Sequence, residues 1–238
     1  MKIILAGYGR MGQLIGETAV SKGAEIVKAI NIEDIDFFDS KEKIADLIID
    51  FSNPAMTEKV IAYAKATGTT LLTGTTGLSE ELTEQLRDLA KTVPVGASYN
   101  YSYGIAVLKR LVKMAAEAMG DEWDIELIEA HHNKKVDAPS GTAVSLLSCI
   151  DPENEREKVY GREGVTGERT KREIGVHVIR GGTEAGEHTV SFYGNGEVVT
   201  ISHHAQNRQI FVDGAVKAAF ALMEKPAGLY TAEDLFAK

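Results

Sequence analysis

Apolar and polar positions follow two different rhythms along this chain, and the change between them near Asn100 divides it. From Lys2 to Ala97, apolar runs of strand length occur at Ile3–Ala6, Ile26–Ile30, Leu47–Ile49, Thr70–Thr73 and Val93–Val95, and amphipathic helical stretches separate most of them. Near-continuous apolar strands alternating with helices predict a parallel sheet covered on both faces, a doubly wound α/β architecture. The helix after the third strand is well punctuated: Asn53 suits its cap, Pro54 its first turn and Gly68 its end.

After Asn100 the alternation stops. Ile105, Leu108, Leu111 and Val112 give helical spacing over Ser102–Met119, a strand follows at Asp124–Ala130, and a short helix at Gly141–Cys149. Residues 151–173 are charged and glycine-bearing and read as one long loop. Three β-type runs come next, at Ile174–Ile179, His188–Tyr193 and Val198–Ser202, the last two joined by the hairpin signal Gly194-Asn-Gly196. Strands clustered in this way predict a second, α+β domain. A final helix at Asn207–Met223 is expected to return to the first domain, giving a division into residues 1–100 with 207–238, and 101–206.

Composition narrows the function. A chain of 238 residues can bury one large core or two modest ones, and charges interrupt every hydrophobic stretch before it reaches the roughly 18 residues of a membrane span. The start, Met1-Lys-Ile-Ile-Leu-Ala-Gly, enters a strand directly, and Cys149 is the only cysteine, so a cytoplasmic protein without an intrachain disulfide is expected. A net charge of −9 argues against nucleic-acid or membrane-surface partners. It also makes short basic clusters informative, because an anionic ligand needs local positive potential. One of the clearest is His131, His132, Lys134 and Lys135, opposed only by Asp137.

Gly7-Tyr-Gly-Arg-Met-Gly12 is a G-x-G-x-x-G loop between a strand and a helical pattern. That is the Rossmann-like context for a dinucleotide: Gly7 for the tight turn, Gly9 for backbone approach to a pyrophosphate, Gly12 for close helix–strand packing. The helix start then offers N–H groups and partial positive charge to phosphates. At the end of the second strand, where an acid would hold ribose hydroxyls or an Arg a 2′-phosphate, stands Asn31, followed by Glu33 and Asp34. The acidic pair leans towards NADH, but it reads equally as loop surface, and the choice between NADH and NADPH stays open. Gly74-Thr-Thr-Gly77 and Ser98-Tyr-Asn-Tyr101 follow strands at the same sheet edge and are weak signals by themselves.

The densest chemistry lies in Glu129-Ala-His-His-Asn-Lys-Lys-Val-Asp-Ala-Pro-Ser-Gly-Thr142. Alternation puts Ile125, Leu127 and Glu129 on one strand face, and sends His131 and His132 to opposite sides unless the strand ends about there. Ser140 suits an N-cap, with the N–H groups of Gly141 and Thr142 turned to a ligand carboxylate. Imidazoles, ammonium groups and a helix-start anion cradle within a dozen residues describe a site for an anionic substrate that needs a proton donor.

These residues resemble the 4-hydroxy-tetrahydrodipicolinate reductase (dihydrodipicolinate reductase) family of the lysine and diaminopimelate pathway. The motif Glu129-Ala-His-His…Lys135-Val-Asp-Ala-Pro-Ser-Gly-Thr142 carries the resemblance, with the glycine loop, Gly74–Gly77, Asn100–Gly104, Arg162–Arg169, Arg180-Gly-Gly182 and Gly186-Glu-His188 in support. It implies a Rossmann-like domain plus a substrate and oligomerisation domain with a mixed open sheet, closing on ligand, in a homotetramer. NADH or NADPH would lie on Gly7, Tyr8, Gly9, Arg10, Met11, Gly12 and Asn31, its nicotinamide near Gly74, Thr75, Thr76, Ser98, Tyr99, Asn100 and Tyr101. His131 would donate the proton and Lys135 stabilise charge and assist proton transfer, while His132, Ser140, Gly141 and Thr142 hold a dicarboxylate. No metal is expected. Asn31 in place of an acid, Lys134 in place of a histidine, one glycine fewer in the loop and a short linker at Ile32–Lys43 depart from the family pattern. Two other readings remain: a dehydrogenase acting on an amino acid or aldehyde, and a nucleotide-sensing protein without turnover.

Overall fold

The structure, a computed structural model, describes residues 1–237, which form two compact units. Unit 1 comprises residues 1–103 and the chain from Gln209 onward; unit 2 comprises Gly104–Arg208. Among the described residues no helix is long and apolar enough to cross a membrane.

Unit 1 is built on six parallel strands: β1 (Lys2–Ala6), β2 (Glu25–Ile30), β3 (Leu47–Asp50), β4 (Thr70–Thr73), β5 (Pro94–Ala97) and β11 (Gly228–Tyr230), in the order β11-β5-β4-β3-β1-β2. The chain runs outward from β1 to β2, then reverses to β3 on the other side of β1. In such sheets the crevice for a ligand opens at that reversal, beyond the carboxyl ends of the strands. Successive side chains in a strand face opposite ways, so both faces need cover. Ile4, Ile48, Leu71 and Val95 pack under α2 (Pro54–Thr67) and α3 (Glu80–Leu89) through Val60, Ala64, Leu82 and Leu86. On the other face lie α1 (Arg10–Ser21) and α6 (Gln209–Leu222), with Gly16 against Leu5, and Gly96 against Leu222 and Leu235. The α2 punctuation is as expected: Asn53 Oδ1 accepts from the Met56 amide, Pro54 opens the helix, and Gly68 ends it with φ +66°. α6 is grouped with unit 1.

Two segments carry more structure than their sequence announces. The short Ile32–Lys43 linker contains a 3₁₀ segment, Ile32–Asp39, whose Phe37 and Phe38 pack against the ring of Tyr63, so it supplies core and not surface alone. After α6, β11 completes the sheet beside β5, and α7 (Ala232–Phe236) is closed by a Thr231–Asp234 capping box. A three-residue strand leaves too short a run for periodicity to register.

Unit 2 is a five-stranded mixed sheet in the order β10-β9-β6-β8-β7, with β6 (Asp124–His131), β7 (Glu157–Tyr160), β8 (Glu173–Arg180), β9 (Glu187–Tyr193) and β10 (Val198–His204). β6 runs parallel to β8 and antiparallel to β9, and β9 and β10 form the expected hairpin, closed by the Gly194 amide on Glu197 O at 2.9 Å. The reading of 151–173 as one loop is corrected by β7. It pairs only with β8, at the sheet edge, and its half-exposed Glu-Lys-Val-Tyr sequence lacks the apolar run that marks a covered strand. α4 (Tyr103–Met119) and α5 (Gly141–Ile150) cover one sheet face, where Ile105, Leu108, Val112, Leu146 and Leu147 meet Ile125, Leu127, Val176, Val190 and Phe192. Among the described residues no helix covers the opposite face. Glu126 there gathers Arg162, Arg169 and His177, tying the 161–172 segment to the sheet, while Ile128 and Ile179 are 40% and 53% exposed.

Candidate functional site

In unit 2, β6 delivers the chemistry. It runs through His131 and stops there; the backbones of His132 and Asn133 turn away to donate to Glu184 O and Gly182 O. Glu129 follows Ile125 and Leu127 onto the covered face, as alternation requires, so a carboxylate is completely buried. An isolated buried charge would be prohibitive. Four donors meet this one: Arg180 from β8 makes a bidentate pair at 2.8 Å on each oxygen, the Ser140 amide donates at 2.9 Å, and His131 Nδ1 lies 2.6 Å from Oε2. Burial by itself would raise the Glu129 pKa; the hydrogen bonds from Arg180, His131 and Ser140 outweigh it and hold the carboxyl below its usual range.

That carboxylate fixes the imidazole. With Nδ1–H given to Glu129, proton exchange is assigned to Nε2, which points past Gly186, where a Cβ would come within 3.1 Å of it. Burial lowers the His131 pKa, the carboxylate opposes this, and the positive charges of Lys135 and Arg180 add to the lowering. Lys135 Nζ pairs with Asp137 Oδ1 at 2.8 Å, and Arg180 also donates to the Asp137 carbonyl at 2.6 Å. His132 approaches Arg208 at 3.4 Å.

The expected cap is present. Ser140 Oγ accepts from the Ala143 amide at 3.1 Å and lies 2.9 Å from His188 Nε2. Burial and the nearby His131 push the His188 pKa down to about 4, so it is neutral at physiological pH. Its ring meets that of His131 edge-on at 5.1 Å. The Ser140 amide donates to Glu129, so α5 opens at Gly141 directly beside that carboxylate, and a helix start of this kind favours an anion. Arg180 and His188 were not singled out individually beforehand, because each reaches the cluster only through strand pairing. β8 sets Arg180 opposite His131, and β9 sets His188 opposite Glu129.

In unit 1 the glycine loop has the geometry its sequence implies. Gly7 has φ +86°, and a Cβ there would press within 2.4 Å of Phe51 O; a Cβ at Gly12 would strike the Gly7 carbonyl at 2.0 Å. Gly9 faces open space and caps α1 without any side-chain hydrogen bond, while Tyr8 and Arg10 are exposed and Met11 half-buried. This cradle of bare backbone fits a pyrophosphate. Asn31 Oδ1 accepts from the Tyr8 amide at 3.0 Å, joining the end of β2 to the loop.

At the carboxyl edge of β4, Gly74 and Thr75 are held inward and Thr76 is exposed. Ser98 Oγ bonds the Asn100 carbonyl, and Tyr99 stands exposed. Tyr101 is buried, its hydroxyl donating to Thr73 O at 2.7 Å, so it builds the wall of this edge. A fully buried Asp50 ends β3 amid hydroxyls, a position overlooked in the sequence although an acid closing an otherwise apolar strand was its signal.

Two family models match: "Dihydrodipicolinate reductase, N-terminus" over residues 1–101 and "Dihydrodipicolinate reductase, C-terminus" over 104–236. The chain belongs to the dihydrodipicolinate reductase family. It is 41% identical to the 4-hydroxy-tetrahydrodipicolinate reductase of Exiguobacterium sibiricum, covering 99% of this chain and 96% of that protein. Identity to the enzyme of the same name from Staphylococcus haemolyticus is 42%, covering 99% and 100%. Among solved structures, the dipicolinate-bound dihydrodipicolinate reductase of Paenisporosarcina sp. TG-14 shares the fold, with TM-score 0.76, 24% identity and 97% coverage of each chain. A probable dehydrogenase from Thermotoga maritima shares it more distantly, at TM-score 0.62, 11% identity and coverage of 99% of this chain and 92% of that one. The family's N- and C-terminal models thus part within a few residues of the boundary between the two units.

Proposed function

We propose that this chain reduces 4-hydroxy-tetrahydrodipicolinate, by way of dihydrodipicolinate, to tetrahydrodipicolinate, using NADH or NADPH, in lysine and diaminopimelate biosynthesis. The observation that carries the reading is the buried Glu129 carboxylate holding His131 beside the Ser140-capped start of α5: a proton carrier and an anion cradle built on one acid. The relatives' shared name supplies the substrate.

The nucleotide lies along Gly7, Tyr8, Gly9, Arg10, Met11 and Gly12, with its nicotinamide end towards Gly74, Thr75, Thr76 and the Ser98–Tyr101 wall that Tyr99, Asn100 and Tyr101 complete. When bound it supplies the hydride. Asn31 meets the ribose; with Oδ1 given to Tyr8 N–H, its NH2 is left to face a ligand. A donor serves a ribose hydroxyl or a 2′-phosphate alike, which supports use of both nucleotides. In unit 2, Gly141 and Thr142 N–H groups take one carboxylate, and His132 helps to hold the substrate. His131 delivers a proton from Nε2 to the electron-rich ring left by hydride addition, while Lys135 balances the negative charge that develops. We place the protein in the cytoplasm as a homotetramer assembled through the open face of the unit 2 sheet, where Ile128, Ile179, Tyr193 and Val198 are exposed.

Purified protein should oxidise NADH or NADPH when given the condensation product of pyruvate and aspartate semialdehyde; no turnover with either nucleotide overturns the proposal. His131→Gln should lower kcat by about 10²–10⁴-fold, the usual worth of a positioned general acid, with cofactor affinity unchanged. An undiminished kcat removes His131 from this role.

A further inference from the structure

Among the titratable groups outside the proton-transfer cluster, Asp50 stands apart. It is fully buried at the carboxyl end of β3, where the strand order reverses, and among the described residues no cation pairs with it. The hydroxyls of Ser52, Thr57 and Thr73 donate to its carboxylate instead: Ser52 Oγ to Oδ1, and Thr57 Oγ1 at 2.7 Å and Thr73 Oγ1 at 2.9 Å to Oδ2. Burial raises its pKa against the lowering effect of these hydroxyls. A buried carboxylate is a costly way to end a strand unless its acceptor capacity is needed. Here it is needed. Converging O–H donors from Ser52, Thr57 and Thr73 exceed what one amide can accept, because an Asn in this place turns its NH2 towards at least one of them.

The hydroxyls that Asp50 orders are joined to the turns leaving three adjacent strands. Thr73 Oγ1, with its proton committed to Asp50, accepts from the Thr75 amide at 3.3 Å. Thr75 Oγ1 accepts from the Ser52 amide at 3.1 Å. Between these anchors Phe51 is fixed on two sides. Its carbonyl lies where a Cβ of Gly7 would be, and its ring lies against Gly74, whose added Cβ would come within 2.4 Å of a ring carbon. The same ring meets that of Tyr101 at 5.9 Å. The glycine loop after β1 and the Gly74–Thr76 turn after β4 therefore lean on one segment, and Asp50 sets the shape of that segment.

We infer that Asp50 is a positioning residue for dinucleotide binding: through Ser52, Thr73 and Thr75 it holds the floor on which the glycine loop and the Gly74–Thr76 turn are registered. This rests on the reading of unit 1 as the cofactor domain. Thr57 separates the inference from a general packing role. It donates to the same carboxylate, but from α2, and its other bond goes to Asn53 O within its own helix.

The test compares Asp50→Asn, Ser52→Ala and Thr57→Val by calorimetric titration with NADH and NADPH, and with dipicolinate as a probe of unit 2. Asp50→Asn should raise the Kd of both nucleotides about tenfold, the scale of one hydrogen bond to a charged group, and leave dipicolinate binding and kcat at saturating nucleotide close to wild type. Ser52→Ala should raise the nucleotide Kd by a smaller factor. Thr57→Val should lower Tm while leaving that Kd unchanged. Wild-type nucleotide affinity in Asp50→Asn overturns the inference, as does an equal loss in Thr57→Val. If Asp50→Asn does not fold, an unchanged Kd in Ser52→Ala overturns it. Wild-type protein that binds neither nucleotide overturns the cofactor reading of unit 1 itself, and the inference with it.

Discussion

His131 feels opposing influences: burial and the nearby Lys135 and Arg180 lower its pKa, and the Glu129 carboxylate raises it. The lowering prevails, so before substrate binds the ring is largely neutral at physiological pH. A dicarboxylate at the α5 start adds negative charge beside it and raises its pKa again. The sign of the linkage follows. Binding favours the protonated ring, so affinity falls as pH rises from the depressed pKa of the free protein to the raised pKa of the complex. Dipicolinate should bind progressively more weakly as the pH rises between those two values, by at most about tenfold per pH unit for one proton. Titration in two buffers of different ionisation enthalpy should show proton uptake. Affinity that does not change with pH, without proton exchange, would remove the linkage. At this scale the sequence placed Glu129 and His131 on one strand face and told little about how they pair. Glu129 and His131 are two residues apart on one strand face, but the Arg180 that neutralises Glu129 is 51 residues away.

At the scale of elements, α5 begins on one hydroxyl with two duties. Ser140 Oγ satisfies the Ala143 amide and the Nε2 of a buried neutral His188. Ser140→Ala should cost about 2–3 kcal/mol, an N-cap at about 1 and a buried unpaired ring nitrogen for the rest. It should also raise the KM for substrate, because the helix start loses its register. Ser140→Thr keeps the hydroxyl and should restore most of both. Chemical denaturation checks this; a Ser140→Ala protein within about 0.5 kcal/mol of wild type, the spread of ordinary surface changes, would deny the second duty. The cap itself was legible in Pro139-Ser-Gly-Thr142, since capping is local. Its bond to His188 was not, since β9 had first to find its register beside β6.

At the scale of the molecule, a chain of net charge −9 is proposed to take two anionic ligands, and each unit would meet one of them with local means: a helix start in both, and the Lys135, Arg180 and His131 cluster in unit 2. Hydrogen exchange should separate the two. NADH alone should slow the amides of Gly7–Gln13 and Gly74–Gly77; dipicolinate alone should slow those of Gly141–Val144. At about 100 times Kd a ligand stabilises its bound state by about 2.7 kcal/mol, enough for clear protection where exchange requires opening of the bound form. Dipicolinate that protected the Gly7–Gln13 helix start and not the α5 start would contradict the assignment of substrate to unit 2.

What the amino-acid order determined by itself was everything whose cause lies within a few residues. That covers the five apolar strands of unit 1, the glycine turn, the caps at Asn53 and Ser140, the hairpin at Gly194–Gly196 and the face on which Glu129 lies. Tertiary structure alone decided the rest: β7 and β11 at sheet edges, the Phe37 and Phe38 packing inside a linker, and the partners of Asp50, Glu129 and Ser140. Asp50 finds Thr73 across 23 residues and Ser140 finds His188 across 48. The physical reason is shared. Propensity and periodicity act along the chain, whereas the satisfaction of a buried charge is settled only when separate strands close on it.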